Sequence, residues 1–256
     1  VISEQASIDP SAKLGPGVTV GPGTIIGADV EIGENTWVGP HVVIQGPTSI
    51  GKNNKIFQFA SVGDEPQDLT YQGEPTRLEI GDNNIIREFC LISRGTVNGG
   101  GVTRIGDHCV FLAYSHVGHD CTLGNYVSMV SYSALSGHVT VDDYATIGAY
   151  SGVHQFCKVG AYAFITGATY IKKDVLPYVI ISGQDTTVYG INIVGLKRRG
   201  FSSEAIDALR RAYKVVFRKG LTVQQSIADL EAMIGDFPEV SLMIDSLTQS
   251  TRGIVR

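Results

Sequence analysis

Cysteine is scarce and dispersed in this 256-residue chain: Cys90, Cys109, Cys121 and Cys157 lie far apart and form no C-x-x-C pair. Neither a disulfide framework nor a zinc knuckle is signalled. No apolar run approaches the ~20 residues that a membrane-crossing helix needs, and the first residues lack the shape of a signal peptide. The expectation is a cytoplasmic protein without membrane insertion. An excess of charge is missing too. Twenty basic residues face 25 acidic ones, for a net of -5, which argues against nucleic acid as a partner. With 43% apolar residues a sizeable core can be buried. Glycine alone is abundant, at 31 residues, and its placement is regular.

From Ile8 an aliphatic residue returns at every sixth position, through Leu14, Val20, Ile26, Ile32, Val38, Ile44, Ile50, Ile56 and Val62. Glycine follows most of these anchors, as at Gly15, Gly21, Gly33 and Gly51. The register resumes at Ile80, Ile86 and Ile92, shifts by one residue, and runs from Ile105 through Val117, Leu135 and Val153 to Ile171. Six is neither the 3.6 of a helix nor the 2 of a plain strand. It fits short flat segments that each point one aliphatic side chain inward before a corner. Three segments close a triangular coil, and coils stack ~4.8 Å apart as parallel strands do. Glycine suits corners where backbone crowding or positive φ excludes a Cβ. Such a solenoid is stabilised by neighbouring coils and needs capped ends.

Each cysteine falls four residues after an anchor, in the slot that Ala12, Val18, Thr24, Ala60 and Ala145 fill elsewhere. This places the thiols inside the prism as small fillers and not as nucleophiles. Two polar, Gly- and Pro-containing stretches, residues 64–79 and 94–104, leave the period and are expected to be external loops on one face. The β-helix is thus assigned to residues 1–183. Residues 184–256 read as a helical domain. Ile206, Leu209, Tyr213, Val216 and Phe217 follow a capping sequence at Ser202-Ser203-Glu204. Val223, Ile227, Leu230 and Ile234 follow Thr222, and Val240, Met243, Ile244 and Leu247 follow Pro238. Lys197, Arg198, Arg199, Arg210, Arg211, Lys214, Arg218 and Lys219 crowd this region. Two readings of that crowd stand: a solvated face, or a receptor for an anionic carrier or phosphate.

Adding 18 to a position gives its neighbour one coil on. The columns are then Gly118-Ser136-His154, His119-Gly137-Gln155 and Asp120-His138-Phe156. Three of the six histidines therefore meet a carboxylate and a glycine at one corner. His119 beside Asp120 suits a general base, because the carboxylate orients the imidazole and stabilises its charged form. Gly137 could present its backbone N–H to a developing oxyanion. Ser115 and Cys121 both fall in the inward slot, so direct attack by a bound acceptor is preferred to a covalent acyl-enzyme. On an adjacent face Ala113, Ser131, Ala149 and Gly167 form a column of small side chains: a groove for something long and thin, or a subunit contact.

These residues resemble one family closely, the UDP-N-acetylglucosamine acyltransferases that begin lipid A synthesis. The likeness runs over nearly the whole chain, through F-Q-F-A-S-V-G, G-E-P-T-R, S-R-G-T-V, H-V-G-H-D, S-G-H-V, V-H-Q-F-C, D-V-L-P-Y-V, G-L-K-R-R-G-F and S-T-R-G-I-V-R. The resemblance implies a left-handed parallel β-helix of hexapeptide repeats with a C-terminal α-helical domain. It also implies a homotrimer with active sites between subunits. The implied reaction moves a 3-hydroxyacyl group from acyl carrier protein to the 3-position of a UDP-amino-sugar. No cofactor belongs to the enzyme itself, the donor being carried on the carrier's phosphopantetheine, and no metal is implied. Carried over by position, His119 is the base, Asp120 its partner and Gly137 the oxyanion donor. Asp68, His116, His138, His154 and Gln155 contact substrate, with Asn192 and Arg198 near the sugar nucleotide. Gly167 sits where acyl length is set, and the basic helices receive the carrier.

Departures fall at Thr70 where lysine is usual, at Ser93 where histidine is usual, and at Ser131-Tyr132 in place of an Asn-Asn pair. All lie among positions expected to face the groove. A different acyl length, or an acceptor with a 3-amino group, is compatible with them. A further alternative is a metalloenzyme resembling the γ-type carbonic anhydrases, with histidines as zinc ligands.

Overall fold

A computed structural model describes every residue from Val1 to Arg256. Strands of mostly two to four residues form three sheets of nine, eight and ten strands, parallel but for the last strand, each sheet taking every third segment of the coil. Register steps by 18, as in Ser7 opposite Ile25 and His116 opposite Ala134. The anchors from Ile26 to Ile171 line the interior at 4% exposure or less. This is the triangular prism that the hexad predicts.

The two loops are read directly from the pairing. Ile50 lies opposite Ile80, thirty positions on and not eighteen, so the first insertion adds twelve residues. Ile80 lies opposite Ile105, twenty-five on, so the second adds seven. The strands Arg77–Ile80 and Val102–Ile105 take up the last residues of the two expected loops, because both runs are long enough to pair with the coil below.

Glycine and positive φ separate into different slots. A Cβ on Gly33 would stand 2.6 Å from the Gly51 carbonyl carbon, so the slot after the anchor is set by close approach between coils. Positive φ belongs to the third residue after the anchor, and there it is carried mostly by other residues, including Asn35, Asn53, Tyr114, Asp120, Tyr132, His138 and Tyr150. A bulky residue in that conformation costs about 1–2 kcal/mol. The rings offset this by stacking: Phe59, Phe89, Tyr114, Tyr132 and Tyr150 form one ladder with centroids 4.7–5.1 Å apart. A stacked pair contributes about 0.5–1.5 kcal/mol, comparable to the strain. Tyr132, one of the departures, is thus a rung of this ladder.

All four cysteines are free and buried, and the inward reading holds. Cys109 extends a ladder of small polar residues along the prism axis: its N–H donates to Asn84 Oδ1, and Asn84 N–H donates to Asn54 Oδ1.

Past the last coil, Val179–Ser182 pairs in parallel with Phe164–Ile165 and antiparallel with Thr187–Ile191. Residue 183 therefore sits in the turn of a hairpin that joins coil to helices. The helices are α1 (Ile193–Arg198), α2 (Ser203–Arg218), α3 (Val223–Glu231) and α4 (Ser241–Gln249). Ser202 caps α2 through Ala205 N–H, without the reciprocal bond of a capping box, because Ala205 has no side-chain acceptor. Thr222 and Gln225 make the full box at α3. Ile206, Leu209, Tyr213 and Val216 of α2 and Leu230 of α3 are buried as their spacing predicts. Ile234 falls beyond α3, which ends at Glu231.

Candidate active site

His119 and Asp120 occupy one corner of the coil, and His138 occupies the same corner one coil on. Asp120 and His138 have φ of 61° and 62°, and the Asp120 carboxylate meets the second loop at Thr96. His119 Nδ1 lies 2.8 Å from Asp120 Oδ2. Facing a carboxylate, that nitrogen is the donor, so Nε2 is left with its lone pair. The His119 side chain keeps 16% of its surface exposed and the Asp120 side chain 1%. The imidazole is reachable and its carboxylate is not.

Gly137 lies against the other edge of the ring. A Cβ there would overlap the His119 imidazole, standing 2.6 Å from Nε2. The neighbouring N–H groups are spent within the coil, Ser136 on Val153 O and His138 on His119 O. The Gly137 N–H has no hydrogen-bond partner. An unspent backbone donor on the residue that abuts the imidazole is a feature that addition to a carbonyl can use.

Both groups open on a cavity of about 270 Å³ with no apolar residue in its lining. His116 and Gln155 wall it as expected, joined by Gln67, Ser93 and Ser136. Burial holds the His116 imidazole below its ordinary range, and the neighbouring His119 adds to this. Burial also lowers His138, whose Nε2 lies 3.7 Å from Asp120 Oδ2, although that carboxylate pulls the other way. Asp68 is held below the usual carboxylate range, first by the Thr70 N–H and hydroxyl, both 2.8 Å from Oδ1, and then by His119 and His138. Thr70, a departure, thus caps Asp68. Ser93, another, is fully buried with an unpartnered hydroxyl.

The remaining expected residues lie elsewhere in the single chain. His154 turns its Nδ1 to the Gln155 carbonyl at 3.1 Å and to Arg252 at 3.4 Å, and does not line the cavity. Asn192 and Arg198 line a separate cavity of about 590 Å³ with Tyr144, Tyr162 and Arg199. The Asn192 amide is committed to structure: Oδ1 accepts from Gly195 N–H and caps α1, and Nδ2 donates to Tyr162 O. Gly167 is exposed on the outer face, with Ala149 O 3.2 Å from where its Cβ would stand.

Gln67 and Thr96 were not legible in the columns, since both belong to inserted loops. Thr96 grips the Asp120 carboxylate from the second loop. His119, Asp120 and His138 offer ligand atoms within 4.8 Å of one another, the spacing of a metal site. The donor set does not suit one: Asp120 already accepts from His119, from the Thr96 hydroxyl and from the Thr96 N–H. The zinc alternative therefore has neither a free carboxylate nor His154 as a third imidazole.

Comparison with known proteins agrees with the geometry. Residues 174–255 match the family model for domain 2 of UDP N-acetylglucosamine O-acyltransferase, and residues 29–64 match the bacterial transferase hexapeptide model. The acyl-[acyl-carrier-protein]–UDP-N-acetylglucosamine O-acyltransferase of Tolumonas auensis is 54% identical over 228 residues, which is 89% of this chain and 87% of that protein. The chain belongs to the UDP-N-acetylglucosamine O-acyltransferase family. Among solved structures of this family, LpxA from Acinetobacter baumannii is 48% identical, with a TM-score of 0.98 over 100% of this chain and 99% of that one. The Francisella novicida UDP-N-acetylglucosamine acyltransferase is 43% identical, with a TM-score of 0.98 over 100% and 94% of the two chains. The Arabidopsis enzyme is 33% identical, with a TM-score of 0.86 over the full length of both. The coil is the left-handed parallel β-helix of hexapeptide repeats that the resemblance implied, with a C-terminal helical region.

Proposed function

We propose that this chain transfers a 3-hydroxyacyl group from acyl carrier protein to the 3-hydroxyl of UDP-N-acetylglucosamine, the first step of lipid A biosynthesis. The observation that carries this reading is His119, fixed through Nδ1 on a buried carboxylate, with its ring against Gly137, whose N–H is unpartnered. The acceptor hydroxyl oxygen attacks the thioester carbonyl carbon while its proton passes to His119 Nε2. The carbonyl oxygen takes the negative charge, and the Gly137 N–H donates to it. The C–S bond then breaks, and the leaving thiolate recovers the proton from the imidazolium. No acyl-enzyme forms, since Ser115 and Cys121 are buried in the prism and Ser136, on the cavity wall, makes no hydrogen bond to His119 that would activate it. The enzyme contributes no cofactor of its own, the pantetheine arm arriving with the carrier.

His116, Gln155 and Asp68 are assigned to substrate binding around this centre, together with His138. The separation of the Asn192–Arg198 cavity from the His119 cavity within one chain supports a trimer in which the sugar nucleotide spans two copies. His154 is placed by the same reasoning at a subunit boundary. The column Ala113, Ser131, Ala149 and Gly167 is assigned to the acyl chain, with Gly167 setting its length. The carrier is assigned to the helical region, where Lys197, Arg198 and Lys214 have no acidic partner while Arg210 and Lys219 pair with Asp207 and Asp229. No helix is long and apolar enough to cross a membrane. The cytoplasm is the proposed location, and four free thiols fit a reducing compartment. The relatives' names specify O-acyl transfer, which favours the hydroxyl over a 3-amino acceptor.

The test is incubation with UDP-N-acetylglucosamine, its 3-amino analogue and carrier proteins bearing hydroxyacyl chains of several lengths, with products identified by mass. Acyl-sugar from none of these pairs removes the reading. His119→Ala is expected to slow turnover by ~10²–10⁴-fold, and unchanged turnover takes the base role from His119.

A further inference from the structure

We propose that Thr96, on the second external loop, is a positioning residue for the His119–Asp120 pair, and that the seven-residue insertion serves to bring it there. The inference rests on the acyl-transfer reading and deepens it. Asp120 is held at two points by one residue: the Thr96 N–H donates to Oδ1 at 2.7 Å, and the Thr96 hydroxyl donates to Oδ2 at 2.6 Å. Oδ2 is the oxygen that also receives His119 Nδ1 at 2.8 Å. Two points fix the carboxyl plane, which a single bond to the imidazole would leave free to turn about its terminal torsion.

The hydroxyl is itself aimed. Its oxygen accepts from the Gly99 N–H at 3.3 Å, so its hydrogen is directed at the carboxylate. The backbone N–H of Asp120 is tied to Thr103 Oγ1 at 2.8 Å, on the strand that closes the same insertion. Gly99 completes the cradle, since a Cβ there would overlap the Asp120 carboxyl group. Thr96 and Asp120 are both buried, at 4% and 9%, so water does not compete for these bonds. A carboxylate held this way keeps the proton on Nδ1 and the lone pair on Nε2, toward the cavity. Thr96 touches neither acceptor nor donor and acts through Asp120. A purely structural reading also exists, because Thr96 caps the short turn Val97–Gly99.

The two readings part in the kinetics. Thr96→Val keeps the shape and the backbone N–H and removes the hydroxyl, whereas Thr96→Ser keeps the hydroxyl. Steady-state kcat and KM are measured on the full-length chain with acyl carrier protein and UDP-N-acetylglucosamine, and kcat is normalised to the folded fraction by circular dichroism. One hydrogen bond to a charged group corresponds to about 10- to 100-fold in rate. Thr96→Val is expected to lose that much kcat with KM changed less than about threefold, while Thr96→Ser stays within about threefold of wild type. Gly99→Ala, which crowds the carboxylate and leaves the hydroxyl, is expected to behave like the valine variant and replaces it if that variant does not fold. Wild-type kcat in both Thr96→Val and Gly99→Ala, a change confined to KM, or a serine variant as slow as the valine one overturns the role of Thr96. An inactive wild type would instead remove the acyl-transfer reading and this one with it.

Discussion

Asparagine at position 120 is the most discriminating perturbation of the proposed base. It conserves size in a site that is 1% exposed, and it exchanges one acceptor oxygen for a donor. Both orientations of the amide are penalised. With NH₂ at the Oδ1 place, two donors face each other, since that oxygen receives the Thr96 N–H. With NH₂ at the Oδ2 place, the Thr96 hydroxyl must turn its hydrogen away and accept, and His119 Nδ1 must become an acceptor too. The imidazole proton then moves to Nε2, the atom that should receive the proton of the sugar hydroxyl. The second orientation folds without a donor clash at Oδ1, so the expected result is a native molecule carrying the wrong tautomer. A hydrogen bond to a charged group is worth about 1.5–3 kcal/mol, and the variant also loses the negative charge that stabilises the imidazolium. Together these give a fall in kcat of ~10²–10⁴-fold, or about 2.7–5.5 kcal/mol at 1.36 kcal/mol per decade. The same exchange behind a protease histidine, a known example, costs about 10⁴. Acyl-sugar formation under saturating substrates measures it, alongside a thermal melt. Asp120→Asn within threefold of wild type, in a folded protein, would refute the claim that Asp120 sets the tautomer of His119.

Two further outcomes follow from other parts of the molecule. Gly137→Ala keeps the backbone N–H, but its Cβ overlaps the His119 ring and displaces the base, so kcat is expected to fall by ~10²–10⁴-fold, the usual worth of a general base; a variant with wild-type kcat takes Gly137 out of contact with His119. Burial pushes Cys109 and Cys121 up to about 12 and Cys90 to about 11, from 9.0. A raised thiol stays protonated in the folded chain while the unfolded chain ionises. Its contribution to stability is therefore complete below pH about 9 and lost as the pH rises toward 12. Urea midpoints should fall over that window, and iodoacetamide at pH 8 should leave all three unmodified until the chain unfolds. Rapid alkylation of the native protein would contradict their placement inside the prism.

Much of the site was legible because the coil is periodic. His119, Gly137, Asp120 and His138 become neighbours on adding 18, and His119–Asp120 and Gly137 met as that column required. The aromatic ladders are equally present, as Tyr114, Tyr132 and Tyr150 recur at the same step, but glycine abundance points to positive φ directly after the anchor and not at the third residue, where it lies. His154 stands in the right column and yet faces away, because a ring at its position finds the Gln155 carbonyl and Arg252. Arg252 comes from the C-terminal end of the chain, outside any period. Helix α1 also escaped the apolar pattern, being six residues held by a polar cap at Asn192.

The pair His119–Asp120 marks the division between what the chain alone specifies and what packing adds. The hexad determines that both sit at a corner, since one aliphatic side chain in six must fill the prism and the rest are placed relative to it. It also puts the cysteines inside, because only small groups fit four residues past an anchor. Nothing periodic specifies what folds over that corner. The second insertion returns to coil register at Val102–Ile105, and in doing so lays Thr96 and Gly99 against a carboxylate twenty or more residues away. That contact, made between a loop without a repeat and a repeat without a loop, decides which nitrogen of His119 faces the cavity.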